Sequence, residues 1–108
     1  MATLVAQPIE IGGTVPTLVA AASGGDACAP LDRAFLVVKN GAGAPITVTV
    51  IVPGDEYGVP RADVPVTVAA GATEYIGPMV ADLADPITHN VSWTYSAVTT
   101  VTVGVLNI

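Results

Sequence analysis

Residues 34–52, AFLVVKNGAGAPITVTVIV, constrain the fold of this chain more than any other stretch. Two runs rich in β-branched residues flank the connector Asn40-Gly41-Ala42-Gly43-Ala44-Pro45. Such side chains fit a pleated, half-buried surface, while Gly and Asn accept the positive φ angles that chain reversals often need. In the second run Ile46, Val48, Val50 and Val52 share one face, and Thr47, Thr49 and Ile51 share the other. A period of two is a strand signal, and Pro45 stands at the first strand position, where its missing N–H does least harm. The stretch reads as a central β-hairpin.

The same alternation recurs along the chain. Val64, Val66 and Val68 share a face, then Val91, Trp93 and Tyr95, then Val101, Val103 and Val105. Shorter apolar pieces at residues 17–22 and 73–76 add two more strands, the second entered through the turn Ala70-Gly71-Ala72. Residues 79–85, MVADLAD, allow about one helical turn before Pro86. Residues 27–32, with Cys28 and Pro30, read as irregular, and residues 53–63 as the longest polar loop. About eight short antiparallel strands at regular spacing point to an all-β chain. The expected fold is a single β-sandwich domain over residues 1–108, jelly-roll-like, with an immunoglobulin-like order as the alternative. Gln7-Pro8 and Gly12-Gly13 interrupt the first segment, so residues 1–12 read as an edge strand or as an extended arm that pairs with a neighbour.

Composition narrows the partners. At 108 residues a chain buries roughly 65% of its unfolded surface, enough for one core. Hydrophobic residues make up 52% and charged residues 11%, which leaves little polar material to cover a small globule. Cover by another chain follows as an expectation, in the form of a homo-oligomer or a larger assembly. The net charge is −6, and Arg33, Lys39 and Arg61 are the only cations, too few for a nucleic-acid footprint. No apolar run is long enough to span a membrane. Cys28 is the only cysteine, which excludes an internal disulfide and a cysteine-built metal site. The N-terminal residues lack the basic and apolar regions of a secretion signal.

Candidate chemistry is sparse. His89 is the only histidine; Ser92 and Ser96 follow it without a nucleophile-elbow context, so it reads as a loop histidine rather than a general base. Asp55, Glu56 and Asp63 gather carboxylates in one loop, but their spacing departs from a calcium-binding loop, and a solvated acidic loop is the ordinary reading. Asp82 and Asp85 form a second pair, and neither group has the cleft aromatics of a sugar hydrolase. Cys28 reads as a small buried hydrophobe, and Trp93 with Tyr95 as core rather than a sugar-stacking platform. No cofactor is implied. Tyr57, in a polar loop beside an acid and a glycine, reads as an interface anchor.

The runs FLVVKNGAGAPITVTV, VPVTVAAGATEYIGPM and VSWTYSAVTTVTVGVLNI resemble small structural proteins of tailed-phage and prophage heads, of the capsid decoration or cement type. The resemblance covers the chain from about Ala34 onward and rests on strand and turn patterns. It implies a compact β-sandwich that binds the major capsid protein lattice on the outer surface of the virion after synthesis in the bacterial cytoplasm, with a trimer as one arrangement. It carries no catalytic residues. The docking parts expected on this basis are Leu4, Val5, Ile9 and Ile11 of the arm for strand addition, and Asp55, Glu56, Tyr57, Arg61 and Asp63 of the loop for polar contacts. A tail or head–tail joining protein, and a carbohydrate- or receptor-binding module acting through Tyr57, are the competing readings.

Overall fold

The computed structural model describes residues 2–108. In chain order its strands are β1 (Thr3–Leu4), β2 (Gln7–Pro8), β3 (Val19–Ala20), β4 (Asp26–Cys28), β5 (Ala34–Asn40), β6 (Ile46–Val50), β7 (Asp55–Glu56), β8 (Val59–Pro60), β9 (Val64–Val68), β10 (Thr73–Ile76), β11 (Val91–Tyr95) and β12 (Val101–Asn107). A single 3₁₀ turn spans Ala81–Leu83. Two sheets carry the fold: β1-β4-β11-β6-β9, and β10-β5-β12 with β2 and β3 both lying along the far side of β12. β7 and β8 form a separate small hairpin. The protein is a β-sandwich, and no helix among the described residues is long and apolar enough to cross a membrane.

The period-two pattern explains which faces meet. Val48, Val50, Val68, Val91 and Trp93 point inward from the first sheet, and Leu36, Val38, Val101, Val103 and Val105 from the second. All are buried. Each fully buried Val or Leu contributes roughly 1.5–3 kcal/mol relative to exposure, so this interdigitated layer dominates stability. The thinnest dimension, 19 Å, accommodates two sheets packed about 10 Å apart.

Three expectations are corrected. Residues 34–52 do not form a hairpin: β5 pairs with β10 and β12, while β6 pairs with β9 and β11 in the other sheet. The connector instead carries the chain from one sheet to the other. Asn40, fully buried, holds this crossing: its Nδ2 donates to Ala44 O at 2.9 Å and Val68 O at 3.1 Å, and its Oδ1 accepts from the Ala42 N–H at 3.0 Å. β5 is apolar on both faces, which suits a strand inside a covered sheet better than one arm of an isolated hairpin.

Ala27 and Cys28, expected to be irregular chain, join Asp26 in the fully buried strand β4. The sheets are also mixed rather than antiparallel throughout, because β1 runs parallel to β4 and β2 parallel to β12. Both parallel pairs come from the N-terminal segment. That segment straps one open side of the sandwich, passing from the edge of the first sheet to the edge of the second.

Candidate interaction surface

The strap is fastened at several points along its own domain. Ala2 O accepts from the Ala27 N–H at 2.9 Å, and the Ile9 N–H donates to Asn107 O at 2.8 Å. Between them Gln7 clasps the returning chain: its Nε2 donates to Thr17 O at 2.9 Å and its Oε1 accepts from the Thr17 N–H at 2.7 Å. Gly104 makes this approach feasible, since a Cβ there would lie 2.8 Å from Leu18 Cδ2 and 3.0 Å from Thr17 O. The segment, read from the sequence as an edge strand or as an arm that pairs with a neighbour, is paired within its own domain. Leu4 packs against the core, while Val5 and Ile11 stand 81% and 110% exposed and Ile9 is partly covered.

The acidic loop folds into a finger between β6 and β9. β7 and β8 pair as Asp55↔Pro60 and Glu56↔Val59, leaving Tyr57 and Gly58 as a two-residue tip. Both tip residues have positive φ, 55° and 78°, the arrangement of a tight primed reversal usually filled by Asn-Gly. A tyrosine in left-handed backbone is strained by about 1 kcal/mol, and here its side chain is fully exposed.

The remaining loop residues hold the base of the finger. The Arg61 N–H donates to Gly54 O at 3.1 Å, and its guanidinium pairs with Asp82 at 3.1 Å. Asp63 Oδ1 accepts from the Val52 N–H at 2.9 Å. Arg61 and Asp63 thus serve as fasteners, whereas Asp55, Glu56 and Tyr57 project into solvent.

The nucleophile and metal alternatives find no geometry. His89, at φ 61°, donates its backbone N–H to Asp85 O at 2.8 Å, and among the described residues its imidazole meets neither serine. Ser96 Oγ accepts from the Thr47 N–H at 2.8 Å. Among the described residues no three His, Cys, Asp or Glu side chains gather as a metal site requires. Cys28 is buried, and desolvation pushes its thiol up to about 11, which keeps it protonated and unreactive at neutral pH.

Trp93 and Tyr95 belong to the core, as their shared face with Val91 suggests, and they reveal a polar centre absent from the sequence reading. Trp93 Nε1 donates to the Tyr95 hydroxyl at 2.7 Å, and that hydroxyl donates to Asp26 Oδ2 at 2.6 Å. Burial first, and then the bond to Asp26, raise the Tyr95 hydroxyl well above the usual phenol range. Asp26 also accepts the Ala2 N–H at 3.0 Å and the Ala22 N–H at 3.2 Å. One buried carboxylate therefore ties the strap, the loop before β4 and the aromatic core together.

No protein-family model matches the chain, nor does any curated protein or solved structure.

Proposed function

We propose that this protein is a non-enzymatic viral structural protein that binds the assembled capsid of a tailed phage from outside and stabilises it. The observation that carries the reading is the distribution of exposed apolar side chains. Val5, Ile11 and Val15 stand out along the strap and its return, and Tyr57 stands at the tip of a separate finger. A subunit meeting a repeating lattice gains from several modest attachment points, because linked weak contacts add through effective concentration. The acidic balance suits basic patches on a protein partner and opposes direct nucleic-acid binding. The resemblance of the three strand-rich runs to phage head proteins points the same way, and a homo-oligomer on the lattice belongs to this reading.

Co-sedimentation of the purified protein with mature and immature head shells of the encoding phage tests the proposal. Saturable binding to mature shells in hundreds of copies is expected, weakened at least tenfold by Tyr57→Asn or by Val5→Ser combined with Ile11→Ser, whose side chains are exposed. Absence of binding overturns it. A handful of copies per particle would replace decoration with a tail or head–tail joining role.

A further inference from the structure

The outer face of the first sheet carries a hollow of about 340 Å³ beneath the loop of residues 85–90, lined by none of the strap's exposed apolar residues and by no residue of the finger. Its floor is one row across three strands, Thr3, Ala27 and Ser92, set side by side by the β1–β4 and β4–β11 registers. Because Val91 and Trp93 point into the core, Ser92 between them must point out into this hollow. Asp85, Thr88 and Asn90 form the wall.

The wall is built, not draped. The Asp85 N–H donates to Asn90 O at 2.9 Å, and Asp85 O accepts from the His89 N–H at 2.8 Å. Asp85 Oδ1 takes the Ile87 and Thr88 N–H groups at 2.7 and 3.2 Å. The turn is closed by His89 in left-handed backbone. These bonds leave the other oxygen of Asp85 uncommitted. Among the described residues the Ser92 and Thr3 hydroxyls and the Asn90 side-chain amide likewise make no hydrogen bond within the protein, and the Thr88 hydroxyl only accepts one, from the Asn90 N–H at 3.4 Å. Convergent, unpaired polar groups around a preformed hollow are the usual mark of a small-ligand site.

We propose that this hollow binds a neutral saccharide unit. Three hydroxyls and an amide can each donate and accept, which matches the mixed donor–acceptor character of vicinal sugar hydroxyls. The free carboxylate oxygen adds a strong acceptor for one of them. No Lys or Arg lines the hollow, so a phosphate or carboxylate ligand would meet Asp85 without a counter-charge. This inference is independent of the capsid-binding reading.

The test is heteronuclear NMR titration of the full chain with glucose, galactose, mannose and N-acetylglucosamine, alongside a glycan array. Shifts confined to the amides of Thr3, Ala27, Asn90 and Ser92 are expected with at least one sugar. Ser92→Val, which removes the hydroxyl and fills the floor, should lower affinity at least tenfold with an unchanged fold, and Asn90→Ala should weaken it similarly. Tyr57→Asn should leave sugar binding intact. No shift with any sugar and no array signal overturns the proposal. So does binding that survives Ser92→Val and Asn90→Ala, or that is lost in Tyr57→Asn.

Discussion

Asp26 shows how much a single side chain can hold. Its carboxylate receives three donors that sit far apart in sequence, from Ala2, Ala22 and the Tyr95 hydroxyl. In Asp26→Ala those donors lose their acceptor in a poorly solvated site, so about 3 kcal/mol of stability should disappear in urea unfolding. A loss below about 0.5 kcal/mol would contradict the role. Two neighbouring acids set a pH limit. Cys28 and Tyr95 both titrate higher in the folded state than their ordinary values of 9.0 and 10.0. Folding therefore favours their neutral forms, and this stability is complete below about pH 9 and lost as pH rises further. For Cys28, with its thiol at about 11, the loss is on the order of 2 kcal/mol, and Cys28→Ala should reduce it in urea midpoints followed from pH 8 to 11. Trp93 and Tyr95 were legible as core from their shared face. Asp26 was not, because a carboxylate after Gly24-Gly25 ordinarily lies in solvent, and its aromatic partner is 69 residues away.

At the scale of elements, alternation located β6, β9, β11 and β12 and their inward faces, but it did not reveal which strand pairs with which. β5 and β6 are equally good strands whether they turn back on each other or cross between sheets. What decides is Asn40, whose amide satisfies carbonyls of the connector and of the last residue of β9 at once. Asn40→Asp would set a carboxylate against those carbonyls in a buried site, and a loss of about 3 kcal/mol or more is expected from thermal and urea unfolding. An unaffected midpoint would mean that the crossing is held by something else. β4 escaped the sequence reading because three residues are too few to show a period, and its place in the sheet comes from β1 and β11 on either side. The finger was legible as a polar loop with an exposed tyrosine. Its hairpin was not, since Tyr-Gly is an unusual tip. Tyr57→Asn should stabilise the fold by about 0.5–1 kcal/mol by relieving left-handed strain, and a loss of stability would show that the ring packs on its own domain.

For the whole molecule, a dense apolar layer between two sheets gives a firm body that carries exposed apolar groups on its strap and its finger, and others on the loops and edges between them, Tyr75 and Ile87 included. Rigidity matters for a subunit that reinforces a lattice, because a body that deforms transmits little of its binding energy to its neighbours. The proposed stabilisation of a phage head is tested most directly by heating DNA-filled heads that lack this protein, with and without saturating amounts added, and recording the temperature of DNA release. Release should move to higher temperature in proportion to occupancy, with a smaller shift for Tyr57→Asn at equal protein concentration. An unchanged release temperature at full occupancy would contradict the account.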